Sequence, residues 1–409
     1  MSTFLKLKLI LHWMVNTFLK FLKIKKRNEN LWLFGAWEGN NYSDNSKYVF
    51  EYVNKHMPHI NSVWISNNFE IKKHITNLGY KCYIYNEPNG RKMRLNAKYV
   101  FYTNGITDFG TFDLCNGAIK IALWHGMPLK KLCFATNNLQ KRKKSILRIL
   151  QYAALKIYDK SHRDITIATS VTTKQLLIKC FEIKPETVLI TGQPRNDGLY
   201  NNTAIQSLKQ NLNHNPKDKF ILYMPTWREK GNNEKFIHDI LVNLINDSTF
   251  NNSLIYNNIK LYIKPHPLIT IDIKSANNIT ILKGISKFDT QNLIGAADVL
   301  ITDYSSVFID YSLLERPTHF FLPDLESYKK NRLGLFFSFE DFAKYWFTEI
   351  DQLKNVISNS DRYYNLGVDN AKKVNLLYNN PQLPAGEYTE YFIEKFSQFL
   401  NKNKENKLL

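Results

Sequence analysis

The chain is predicted to fold as an α/β protein of two doubly wound halves facing a shared cleft. Three observations lead there. From residue 31 onward, short β-branched or aromatic runs alternate with helical stretches. Those runs are almost continuously apolar, as strands covered on both faces of a parallel sheet must be. A polar, strandless stretch at 201–219, NNTAIQSLKQNLNHNPKDK, then interrupts the series and reads as the passage between domains.

Taken in order, residues 1–27 come first. They contain Lys6, Lys8, Lys20, Lys23, Lys25, Lys26 and Arg27 and no acid, while Phe4, Leu7, Leu11, Met14, Phe18 and Leu22 recur at helical spacing. The lysine-free stretch Leu9–Leu19 is shorter than the ~20 residues a bilayer span needs, and no small-residue cleavage site follows it. The segment is predicted to be a basic amphipathic helix in the interface of an anionic membrane, where Trp13 and the flanking lysines are at home. A surface helix packed on the domain is the plainer alternative.

The first domain, 28–200, takes its strands from LWLFG (31–35), SVWIS (62–66), CYIY (82–85), YVFY (99–102), IKIALW (119–124), ITIAT (165–169) and TVLIT (187–191). YSDNSKYVFEYVNKH has a helical pattern between the first two. The second domain, 201–385, supplies FILYMP (220–225), IKLYIKP (259–265), ITILK (279–283), DVLIT (298–302) and THFFLP (318–323), with VFIDYSLLE as an intervening helix. Residues 386–409 are expected to form a C-terminal helix ending in a frayed polar tail, NKNKENKLL.

Composition narrows the function classes. With 409 residues, 44% hydrophobic and 14% aromatic, the chain can bury two cores and is not disordered. The 55 Lys+Arg against 36 Asp+Glu, a formal charge of +19, favour anionic partners: phosphorylated substrates, anionic lipid or nucleic acid. The cysteines at 82, 115, 133 and 180 form no C-x-x-C pair and have no His at metal spacing, so four reduced thiols are expected.

In open α/β sheets ligands bind beyond the carboxyl ends of the strands, so the residues that follow each strand are the candidates. Thr302-Asp303-Tyr304-Ser305-Ser306 follows DVLI. Ser305 suits an N-cap of the next helix, whose unpaired N–H groups and dipole would receive phosphate, with two hydroxyls as further donors. Plain capping explains the same residues. Lys264-Pro265-His266-Pro267 follows KLYI: the prolines restrict the backbone, and lysine and imidazole together suit a pyrophosphate. A rigid turn with a surface histidine is the alternative.

His125-Gly126 follows IKIALW, where an imidazole could take a proton from an attacking hydroxyl and the glycine admits another molecule to the backbone. Standing alone, His125 would read first as a satisfied structural histidine. Arg228 and Arg195 could clamp phosphate or form a domain-interface ion pair. Asp197 and Asp310 could orient such groups or cap and pair locally. The basic run 130–156 carries an apolar helical stripe and could extend a membrane-facing surface, attract a polyanion or be a solvated face.

In order, the stretches YSDNSKYVFEYV, WHGMPLKKL, TGQPRND, YMPTWRE, IKPHP and ADVLITDYSSVFIDYSLLERPTHFFLPDLESY resemble the CDP-glycerol glycerophosphotransferase family of teichoic acid and capsule polymer enzymes. They span roughly 35–330, and the last block is the most specific. The resemblance implies a GT-B arrangement, with the acceptor on the first Rossmann-like domain and the CDP-polyol donor in the second. It implies His125 as general base, with His266, Ser305 and Ser306 holding the donor pyrophosphate, and it carries over Arg228, Arg195, Asp303 and Asp310; the strand-end reading adds Lys264 and Thr302 on the donor side. Met127 departs from the family, which more often has a small polar residue there, and is expected to face the acceptor. The N-terminal region lacks the large extra domain of some polymerases, which leaves priming and extension both open.

On this reading, the enzyme moves glycerol phosphate from CDP-glycerol to a hydroxyl of a polyprenol-linked acceptor or growing polymer, at the cytoplasmic face of the bacterial membrane, and releases CMP. No D-x-D motif follows a strand, so fixed positive charge is expected in place of an obligatory metal, and no motif indicates Mg2+. CDP-ribitol or a sugar nucleotide as donor is the nearest alternative. A non-enzymatic polyanion binder is more distant, because the basic residues concentrate at the N-terminus and one helical segment and no nucleic-acid motif is present.

Overall fold

The computed structural model describes residues 26–136, 162–226, 232–265, 275–282, 288–331 and 334–405. Residues 1–25 of the expected amphipathic helix, most of the basic run 130–156, Arg228, His266 and residues 406–409 lie outside them.

Every strand-like run of the sequence is a strand. The first sheet has seven strands in the order β3-β2-β1-β4-β5-β6-β7. These are β1 Asn28–Gly35, β2 Asn61–Ser66, β3 Cys82–Ile84, β4 Ala97–Tyr102, β5 Ile119–Ala122, β6 Ile165–Ala168 and β7 Val188–Ile190. The second has five in the order β10-β9-β8-β11-β12: β8 Lys219–Met224, β9 Ile259–Ile263, β10 Ile279–Ile281, β11 Val299–Thr302 and β12 Thr318–Phe320. All neighbouring strands are parallel.

Side chains that alternate along a strand leave opposite faces of the sheet, so each sheet builds two cores. Trp32 and Phe34 pack on one face of the first sheet, Leu31 and Leu33 on the other. Phe220 and Leu222 face one core of the second sheet, Ile221 and Tyr223 the other. The strand order reverses between β1 and β4 in the first sheet and between β8 and β11 in the second. These switch points are where crevices open beyond the strand ends.

Three features differ from expectation. The polar C-terminal segment is helical as far as Glu405, in the helix Tyr388–Glu405. Phe392, Ile393, Phe396 and Leu400 of this helix pack with Trp32 and Phe101, so it closes the first lobe rather than the second. Met127 is 3% exposed and, with Leu129, joins the core of the second lobe instead of facing an acceptor. The chain around it pairs across the lobes, Lys131 N with Gly334 O at 2.9 Å and Phe336 N with Leu129 O at 3.0 Å. Thirdly, Arg27 is buried. Its Nη1 donates to Arg94 O at 3.0 Å and Ala97 O at 2.8 Å, and its Nη2 to Leu114 O and Asn116 O. Arg27 is therefore part of the first lobe and not of the segment before it.

Candidate active site

His125 lies just beyond β5, between two indoles. Its ring centroid is 4.3 Å from Trp124 and 5.3 Å from Trp37. Trp124 is held in the left-handed region (φ 61°), and the Arg163 guanidinium lies 5.0 Å over its ring. The imidazole Nδ1 is buried without a hydrogen-bond partner. Burial holds the His125 pKa below its ordinary value; the Asp44 carboxylate pulls it up, the Arg195 cation pushes it down further, and a hydrogen bond with the Thr103 backbone opposes the fall. A neutral imidazole with a free nitrogen can accept a proton near neutral pH.

The helix Asp44–His56 grips this strand end through its first turn. Asn45 Nδ2 donates to Leu123 O at 3.2 Å and Trp124 O at 2.9 Å, and Ser46 Oγ lies 3.0 Å from Thr103 Oγ1. Asp44, itself left-handed (φ 66°), accepts from Arg195 Nη1 at 2.9 Å. The same Nη1 donates to His125 O at 2.7 Å, while Nη2 reaches Asp310 Oδ2 of the second lobe at 2.7 Å. Asp310 also accepts from Gln193 Nε2 at 3.2 Å, Asn196 Nδ2 at 3.4 Å and Gln291 Nε2 at 3.4 Å. Arg195 is thus committed to ion pairs between the lobes and is not a phosphate clamp.

The two candidate centres meet at Gly126. A methyl group placed on it would lie 2.8 Å from Ser306 Oγ and 3.8 Å from Arg195 Nη2. Ser305 and Ser306 are half-buried. The N-cap of the helix Val307–Tyr311 is Ser306 rather than Ser305, and its hydroxyl makes no capping bond. Ser305 Oγ accepts from Val307 N at 3.4 Å. Both hydroxyls therefore retain donor capacity.

Thr302 and Asp303 are turned inward. Thr302 Oγ1 donates to Met224 O at 2.8 Å, and the Asp303 carboxylate accepts from Thr226 N at 2.9 and 3.1 Å. They brace the loop after β8, at the second sheet's switch point. Lys264 is half-buried beyond β9, its pKa lowered by burial against the opposing pull of Asp289. Asp289 also receives Lys47 Nζ at 2.8 Å and Tyr48 OH at 3.1 Å from the first lobe. Asp197 lies apart from the centre: its oxygens accept from Tyr388 N at 2.6 Å and Thr389 N at 3.0 Å, capping the C-terminal helix. Among the described residues, no three or more His, Cys, Asp or Glu side chains cluster as metal ligands.

Sequence reasoning missed Asp44, Asn45, Gln193, Gln291 and Trp37. All but Trp37 act through long-range partners that no local pattern announces. Trp37 lies two residues beyond β1, within reach of the strand-end rule that gave the other candidates.

One further strand end is unusual. Beyond β1, Trp37 (φ 51°), Glu38 (φ 57°) and Gly39 (φ 76°) are consecutively left-handed. For each non-glycine residue this costs about 1–2 kcal/mol.

Comparison with known proteins gives one family. A family model described as CDP-Glycerol:Poly(glycerophosphate) glycerophosphotransferase matches residues 17–376. A teichoic acid poly(glycerol phosphate) polymerase of Bacillus spizizenii is 27% identical over 337 residues, covering 79% of this chain and 82% of that one. A teichoic acid glycerol-phosphate transferase of Staphylococcus aureus is 26% identical over 376 residues, 87% of this chain and 91% of that one. A structure of a variant of the wall teichoic acid polymerase TagF superposes with a TM-score of 0.77 at 21% identity, covering 96% of this chain and 95% of that one; this likeness concerns the fold.

Proposed function

Because this chain belongs to the CDP-glycerol:poly(glycerophosphate) glycerophosphotransferase family, we propose that it transfers glycerol phosphate from CDP-glycerol to a hydroxyl of a membrane-linked teichoic acid or capsule precursor. The observation that supports this reading is the approach of Gly126 to Ser306, which brings the strand end that carries His125 in one lobe up to the loop that carries the hydroxyl pair in the other.

His125 removes the proton of the acceptor hydroxyl as its oxygen attacks the glycerol-side phosphorus of CDP-glycerol. The bond from that phosphorus to the bridging oxygen breaks in line, and CMP leaves with the electron pair. Ser305, Ser306 and Lys264 stabilise the charge that develops on the departing phosphate, together with His266 and Arg228. Arg195, Asp310, Thr302 and Asp303 hold the strand ends that carry these groups.

The enzyme works at the cytoplasmic face of the membrane, held by the basic, acid-free N-terminal segment. Its composition supports this. Among the described residues, no helix is long and apolar enough to cross a membrane.

The test is CMP release by purified protein offered CDP-glycerol, CDP-ribitol or UDP-sugars with an acceptor. CDP-glycerol should be consumed, and His125→Ala should slow release about 10²–10⁴-fold while donor binding persists. Undiminished turnover by the variant removes the base; release from another donor alone removes the assigned substrate.

A further inference from the structure

The turn beyond β1 sits where the strand order of the first sheet reverses, beside β4. Two non-glycine residues in succession hold a backbone conformation that glycine would adopt without strain. Considerable structure is committed to keeping them there. The Asp108 carboxylate, 1% exposed, accepts Glu38 N at 2.7 Å and Thr103 N and Asn104 N at 2.9 Å. At the other end, Gly39 O receives Ser66 Oγ at 2.7 Å and Asn67 N at 2.8 Å. Gly39 itself cannot be replaced, because a Cβ would lie 2.7 Å from Asn67 N.

Backbone strain of this kind persists where the surroundings over-determine it, and it concentrates at ligand clamps. Burial alone does not explain the two side chains. Trp37 is only half-buried, at the margin of the first lobe's core with its ring against His125, and Glu38 is exposed. What the strain preserves is an indole against the imidazole of His125 and, on the next residue of the same turn, an exposed carboxylate.

We propose that Trp37 and Glu38 form the subsite for the polyol end of the acceptor. The indole packs on its carbon skeleton, and the carboxylate accepts a hydrogen bond from the hydroxyl neighbouring the one that attacks. This rests on the transfer reading above. A carboxylate receives hydroxyl donors and repels phosphate, whereas Lys264, Ser305 and Ser306 receive phosphate. Glu38 therefore distinguishes the hydroxyl terminus of a polyol-phosphate chain from its phosphates. It admits that terminus to His125 in the orientation that transfer requires.

Glu38→Gly tests this in the full chain, because it relieves the strain while deleting the carboxylate. CMP release is followed with CDP-glycerol and a short glycerol-phosphate oligomer ending in a free diol. The variant should unfold at a higher temperature than the wild type. Its KM for the oligomer should rise about 10-fold, with KM for CDP-glycerol within about twofold, and Glu38→Gln should recover part of the loss. Trp37→Ala should raise the same constant. If Glu38→Gly becomes more stable and its acceptor KM does not move, the turn is only a strained connection and the subsite is refuted. Wild-type protein that releases no CMP refutes the transfer reading itself, a result distinguishable from the first.

Discussion

His125 owes its chemistry to neighbours that are remote in sequence. Burial and the Arg195 cation favour the neutral ring, and Asp44, followed by the Thr103 backbone, restrains the fall in its pKa toward acid. Replacing Asp44 by Asn should therefore lower the imidazole pKa further. Activity rises with pH as the base loses its proton, so the acid limb of kcat/KM should move to lower pH. The plateau should also fall, because the base is weaker. A limb that stays in place, read from a pH–rate profile, would detach Asp44 from the base. The sequence singled out His125 as a candidate because it follows a strand, and Ser305-Ser306 because they precede a helix. It could not assign Arg195, whose dipeptide with Pro194 looks the same whether the guanidinium meets phosphate or the Asp310 carboxylate 115 residues away. Asp197 was ambiguous for the same reason, since its partners begin at Tyr388.

At the scale of elements, every strand was legible because burial on both faces leaves a continuous apolar run that no helix of that length requires. Which lobe a peripheral element would cover was not legible. The helix Tyr388–Glu405 has an apolar stripe that would fit either sheet, and only the packed structure shows Phe396 edge-on to Trp32, with ring centroids 5.6 Å apart. Met127 misled for a related reason: its neighbours in sequence belong to one lobe and its neighbours in space to the other. Phe396, fully buried, should cost about 3–5 kcal/mol when replaced by Ala, measured as a shift in denaturant midpoint. Asp197→Ala should cost about 1 kcal/mol through loss of the cap. A Phe396→Ala change without effect would mean that the helix does not complete the first core.

For the whole molecule, the proposed attachment and the fold are separable, and Arg27 marks the division. A deletion ending at residue 25 spares its bonds to the carbonyls of Arg94, Ala97 and Leu114. That protein should fold, retain CMP release toward a soluble acceptor, and move from the membrane to the soluble fraction on cell fractionation. Retention on membranes would overturn the anchor. A deletion through Arg27 should in addition lower the melting temperature. The return of the last helix to the first lobe also sets an order of events during synthesis. The aromatic face of Trp32 and Phe101 leaves the ribosome early, but its cover, which begins at Phe392, is translated about 300 residues later, roughly 15–60 s at ordinary elongation rates. The half encoded first is thus the last to close. Until then the nascent chain carries an unfinished apolar surface, and a cell making this protein must shield that surface from its neighbours.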